Sequence, residues 1–228
     1  MKKNIPFTGF RAETFRFLRD LEENNYKEWF EAHRTVYETQ LLEPFRALIS
    51  AVSPAMTTID PAFEMRPHKV LSRIYRDTRF SKDKRPYRTH LWMTFQRSTT
   101  HWESFPGYYM SLDTERCEWG MGLFSPVRKI MDQFREAVTQ EKESFKEIAL
   151  EVFEAGYETQ GEKYVRPIAN DLSDFYQPWL QGKSIYVNKS FPLTDERIYS
   201  DALAHSMIED FSRLAGLYHF MIEAINNE

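Results

Sequence analysis

A single cysteine, Cys117, stands among 228 residues, which excludes an intramolecular disulfide and fits a reducing compartment. One thiol cannot build a thiolate zinc site. The six histidines are scattered, with neither an H-x-H nor an H-E-x-x-H spacing, so no metal site is predicted. Glycine is scarce as well: eight residues leave few of the loops that cradle phosphates through glycine backbone. Gly182-Lys183-Ser184 matches the end of a P-loop, but Gln177 stands where that motif needs glycine, and the segment opens a predicted strand, not a helix. No G-x-S-x-G elbow occurs. No apolar run approaches the roughly 18–20 residues that span a bilayer. The opening MKKNIPFTGF carries two lysines with no apolar stretch after them, unlike a secretory leader. The expectation is a soluble, cytoplasmic protein with no membrane partner.

What the chain does contain is aromatic and charged. Aromatic residues make up 15% of it, enough to build a core on Phe, Tyr and Trp, and charged residues make up 28%. The formal net charge of -4 argues against a general nucleic-acid binder, which usually shows a basic domain. There is no repeat, low-complexity tract or Pro/Gly/Ser linker, so one α+β domain over 1–228 is expected.

Its parts follow from periodicity. Over 8–56 the pattern is helical: Phe10, Thr14, Phe17, Leu18 and Leu21 share a face, and Asn24-Asn25 breaks it. Asn25 with Glu28 resembles a capping box opening a second stripe of Trp29, His33, Val36 and Tyr37. Pro44 is expected to kink or restart the helix, which should end at Ser53-Pro54. From 63 to 124 the period changes. LWMTF, GYYMSL and CEWGMGLF are short, aromatic and closely spaced, as in an antiparallel sheet. From 126 to 226 helical stripes return, with short strands expected near 163–168 and 184–189. A mainly antiparallel sheet packed by N-terminal and C-terminal helices is the predicted fold.

FTGFRAETFRFLRDLEENNYKEWFEAHRTVYE, then RIYRDTRFSKDKRPYRTHLWMTF and GYYMSL, resemble the domain-of-unknown-function family 2461. GKSIYV and LAGLYHFMIEAI resemble its C-terminal region less tightly. The resemblance implies a cytoplasmic, single-domain α+β protein. It brings no established activity or cofactor, so no catalytic residue is carried over.

The most specific part of the likeness is RIYRDTRFSKDKRPYR, residues 73–88, with seven Arg or Lys against two Asp. If 73–80 is a strand, Arg73, Tyr75, Asp77 and Arg79 share one face, and Ile74, Arg76, Thr78 and Phe80 the other. If 87–95 is its partner, Tyr87, Leu91, Met93 and Phe95 face inward, opposite Arg88, His90, Trp92 and Thr94. SKDKRP is then the hairpin loop.

Arginines beside an Asp, a His and aromatic rings suit bidentate anion binding with stacking on a planar group. On this reading Arg73, Arg76 and Arg79 bind a phosphate or carboxylate, and Asp77, held ionised, orients them. Tyr75 and Trp92 contact the rest of the ligand, and His90, with Asp77, is the candidate acid–base for any catalysis. The bland alternative is an exposed hairpin held by Arg–Asp pairs.

Two other function classes stay open: a module docking an acidic protein partner through the basic hairpin, and a nucleic-acid binder, which the overall acidity disfavours. Asn25, Trp29 and His33 are read as turn, cap and core residues, or as one wall of a pocket opposite the basic strands.

Overall fold

The computed structural model describes residues 6–98 and 105–226; MKKNI and residues 99–104, the latter inside the expected sheet region, lie outside the described residues. The N-terminal helices follow the apolar stripes. Helix α1 (Ala12–Glu23) buries Thr14, Phe17, Leu18 and Leu21. After Asn24 come α2 (Lys27–Ala32) and α3 (Arg34–Tyr37). Asn25 caps neither: α2 is preceded by Tyr26, and the Asn25 amide is engaged elsewhere. The anchor of α2 is Phe30, fully buried, whereas Val36 is exposed.

Pro44 does not break the chain. It has no N–H to give the Gln40 carbonyl, and its ring crowds that oxygen. The helix answers with a wider turn over Glu38–Leu42, in which the Glu43 amide reaches back five residues to the Glu38 carbonyl. The Gln40 carbonyl accepts instead from Thr14 Oγ1 at 2.7 Å, and Thr14 Oγ1 accepts from the Arg11 amide at 3.2 Å. Helix α4 (Glu43–Ile59) then runs through Pro54, beyond the expected stop. The carbonyl that Pro54 leaves free belongs to Ser50, an exposed residue on the solvent side of the helix.

The sheet is antiparallel throughout, in the order β1-β2-β3-β5-β4: β1 Leu91–Phe95, β2 Gly107–Leu112, β3 Arg116–Leu123, β4 Glu158–Gln160 and β5 Ile185–Pro192. The β2–β3 hairpin turns at Asp113, whose Oδ1 accepts the amides of Glu115 (2.7 Å) and Arg116 (2.8 Å). One sheet face is core: Leu91, Met93, Phe95, Tyr108, Met110, Trp119, Met121 and Val187 are all buried. Helix α4 lies against β1 and against α9 (Ala202–Arg213), and α9 lies against β3. Helix α10 (Ala215–Asn226) packs on α6 (Arg128–Gln140) and α7 (Lys142–Glu154). This is the predicted α+β fold. Among the described residues no helix is long and apolar enough to cross a membrane.

Two strand expectations need correction. Residues 163–168 form no strand: Lys163 makes one bridge to Gly182, and the short strand is β4, just before. The strand expected near 184–189 is β5. Residues 73–80 also form no regular strand; pairing is confined to the bridges Leu71↔Met93 and Tyr75↔Tyr87, and 87–95 is a strand only from Leu91. The cause is local. The carboxylates of Asp77 and Asp83 accept the amides of Arg79 (3.1 Å) and Arg85 (3.0 Å), two residues on, and so bend the chain away from a ladder.

Candidate functional site

Among the described residues, no long helix is laid over the centre of the second face of the sheet. It carries Trp92 and Thr94 from β1, Tyr109 from β2, Glu118, Gly120 and Gly122 from β3, and Tyr186 from β5, all alternate to the core residues. Gly107, Gly120 and Gly122 are three of the eight glycines, and all lie on this face. At Gly120 a Cβ would overlap the Val187 carbonyl, and at Gly122 that of Ile185, so glycine lets β3 and β5 approach closely. Tyr109 stands opposite Gly120, and Tyr186 opposite Gly122. Over this floor Tyr109 and Phe124 meet edge to face at 5.2 Å, and Phe124 and Tyr186 lie 5.5 Å apart.

The opposing wall is the segment from Glu64 to Ser72, which includes the short helix α5 (Pro67–Val70). It is fastened to β1 at both ends. The Glu64 amide donates to Gln96 O (2.9 Å), the Ser72 amide to Trp92 O (2.8 Å), and the Trp92 amide to Ser72 Oγ (3.0 Å). Floor and wall enclose a cavity of about 650 Å³.

Three cations line it. Arg66 is bracketed by Glu64, and that guanidinium, opposed by partial burial, holds the Glu64 carboxyl down at about 2. Arg97 Nε donates to the buried Asp60 Oδ2 at 2.7 Å. Lys69 is exposed and has no carboxylate partner among the described residues. Burial pushes the Tyr109 hydroxyl far above its usual range, Glu118 and Tyr186 add to this, and so it remains a proton donor at neutral pH.

The structure divides the sequence candidates. Trp92 lines the cavity. His90 stacks on Trp92 at 5.4 Å, and the Arg88 guanidinium lies 4.8 Å from the Trp92 ring centre. Burial, then Arg88, with a smaller contribution from Arg76 against that of Asp113, lower the His90 pKa, so the imidazole is neutral at pH 7. Arg76 pairs with Asp83 Oδ2 at 2.5 Å and lies outside the cavity lining. Tyr75 lies on the opposite side, against Tyr87 (5.4 Å) and Phe30 (6.0 Å). Asp77 and Arg79 pair with each other on an exposed loop, where the guanidinium holds the carboxyl below its ordinary range. Arg73 is exposed and outside the cavity, and Phe80, expected on the apolar face, is 95% exposed.

Asn25 does reach the basic segment. Its amide donates to Tyr87 O and accepts from Tyr87 N, both at 3.0 Å, and Phe30 stacks on the Tyr87 ring at 4.1 Å. Trp29 and His33 stack on each other at 4.0 Å, away from the cavity lining. Among the cavity residues absent from the sequence-based set are Arg66, Lys69, Arg97, Tyr109, Glu118, Phe124 and Tyr186. The signal for three of them was present: alternation in GYYMSL and CEWGMGLF puts Tyr109 and Glu118 on one face with two glycines, and in KSIYVNK it sets Tyr186 against Val187.

A family model described as conserved hypothetical protein (DUF2461) matches residues 13–220. The chain belongs to that family. No curated protein matches it.

Proposed function

We propose that this protein binds a small molecule that joins a planar ring to a phosphate or carboxylate, held on the open face of the sheet. One observation carries the reading: an aromatic floor of Trp92, Tyr109, Phe124 and Tyr186 faces a wall bearing Lys69, which has no carboxylate partner among the described residues, across about 650 Å³. Cavities of that size hold metabolite-sized ligands. The ring rests on the tyrosine and tryptophan faces, the anionic group meets Lys69 with Arg66 at the rim, and the Tyr109 hydroxyl donates a hydrogen bond. On this proposal the anion meets the cavity wall and Trp92 is a contact for the ring.

Thermal shift against nucleoside monophosphates, sugar phosphates and aromatic carboxylates tests this. A ligand at about 100 times its Kd stabilises by about 2.7 kcal/mol. For a chain of this size that is a rise in Tm of about 5–11 °C. Lys69→Ala and Trp92→Ala are each expected to weaken binding about tenfold, the loss of about 1.4 kcal/mol. No shift from any of the three classes, or a shift that both variants leave intact, refutes the proposal.

A further inference from the structure

The basic loop stands apart from the cavity, and its construction is that of a docking knob. Phe80 sits near its tip, 95% exposed, with the Arg79 guanidinium 5.8 Å from the ring centre. The loop is internally braced. Asp83 Oδ2 accepts from Arg76 (2.5 Å) and Arg85 (2.8 Å), Asp77 Oδ2 accepts from Arg79 (2.6 Å), and Lys84 Nζ donates to Thr78 O (2.9 Å). Its root is clamped by Asn25 on the Tyr87 backbone and by Phe30 on the Tyr87 ring. A loop shaped by its own bonds loses little further entropy on binding, so contacts made at its tip are retained as affinity. These braces leave Arg73 and Lys82 without a carboxylate among the described residues, and Lys84 bonded only to a carbonyl.

We propose that this loop docks an acidic segment of another protein, one whose carboxylates meet Lys82, Lys84 and Arg73 while an apolar side chain or groove covers Phe80. Charge complementarity selects the partner. Seven cations against two carboxylates lie within 73–88 of a chain whose net charge is -4, so the rest of the molecule carries the acidic surplus. A long polyanion such as a nucleic acid would have to run onto that acidic surface, whereas a short acidic segment needs only the loop. Phe80 supplies the apolar anchor that charge alone lacks. The inference is independent of the cavity, because none of these loop residues lines it.

The test is fluorescence anisotropy on the full chain with three labelled probes: a peptide alternating Glu with Leu and Phe, polyglutamate of equal charge, and single-stranded oligothymidine. The alternating peptide is expected to bind most tightly, with affinity falling as salt rises. Phe80→Ser should weaken it about tenfold and leave polyglutamate binding unchanged; tenfold corresponds to about 1.4 kcal/mol. Lys82→Glu/Lys84→Glu should abolish binding of both acidic probes. All three positions are surface-exposed, so Tm should hold in each variant, and Trp92→Ala should leave the loop's affinity unaltered. Absence of peptide binding at low salt, binding that survives both loop variants, or tighter binding of oligothymidine than of the peptide each overturns the proposal.

Discussion

Tyr218→Phe removes the hydroxyl that donates to a buried carboxylate and keeps the ring. Asp60, 5% exposed at the end of α4, accepts on Oδ2 from the Tyr218 hydroxyl and from Arg97 Nε (2.7 Å), and on Oδ1 from the Ala62 amide (2.8 Å). The Tyr218 ring meets Phe63 at 5.1 Å and Tyr108 at 5.6 Å, contacts that phenylalanine keeps. The loss is therefore that of one bond to a charged acceptor, about 1.5–3 kcal/mol. At this chain length it lowers Tm by about 3–12 °C.

The pH dependence separates this cause from general damage. Burial raises the Asp60 pKa, but the Tyr218 hydroxyl, the Ala62 amide and Arg97 together outweigh it and hold the carboxyl below 3.8. A carboxylate depressed in the folded state contributes its full stabilisation above the unfolded value, about 3.9, and loses it as pH falls through the folded value. Without Tyr218 the folded pKa rises toward the unfolded one. The gap between variant and wild type is then widest at pH 7 and narrows on acidification toward pH 3. Urea midpoints across that range measure it. A gap that stays constant with pH, or one under about 0.5 kcal/mol at pH 7, would refute the assignment of the stabilisation to this bond. Because Arg97 lines the cavity, the variant also tests whether the Asp60 tie positions that wall.

Thr14→Val, nearly isosteric, leaves the Gln40 carbonyl without its donor in the wide turn and is expected to destabilise by about 1–3 kcal/mol in urea titration. Thr14→Ser, which keeps the hydroxyl, should recover most of that. Gly120→Ala sets a methyl group against the Val187 carbonyl and should cost about 1–3 kcal/mol or more, with amide exchange accelerated first along β3 and β5.

Reading the sequence succeeded where one physical signal dominated. The stripe Phe10, Thr14, Phe17, Leu18 and Leu21 faces the core because an amphipathic helix has few other ways to bury it. Leu91, Met93 and Phe95 are buried for the corresponding reason in a strand, whereas Tyr87, outside it, is buried against Phe30. It failed where a local side chain competed with the backbone. Asp77-Thr78-Arg79 looks like strand by alternation, and Asp83-Lys84-Arg85 falls in the expected hairpin loop; each is a bracket in which the acid takes the amide and guanidinium two positions on. Asp195-Glu196-Arg197 and Glu64-Met65-Arg66 repeat the device. Acid-x-Arg was thus a turn signal in this chain, and it accounts for much of the charge that suggested a ligand. The wide turn at Pro44 was beyond pattern reading, since it depends on Thr14, thirty positions earlier, reaching the carbonyl that proline strands.

The two sheet faces show why the cavity, and not the arginine block, is the better place to look for a ligand. On the core face, buried apolar side chains, Cys117 among them, fill the inward positions from β1 to the middle of β5, as stability demands. On the other face, glycine at 107, 120 and 122 weakens the strands that hold it, because glycine adds backbone entropy to the unfolded chain and packs nothing. Tyr109, Phe124 and Tyr186 are grouped over that bare floor, faced by the segment that carries the short helix α5. A face selected for stability alone would carry β-branched residues there, with larger buried area and no cavity. Glycine in the strands and aromatic rings above them leave a shaped gap, and Lys69 across it supplies the charge a ligand would meet. The arginines at 76, 79 and 85, by contrast, already have their carboxylates.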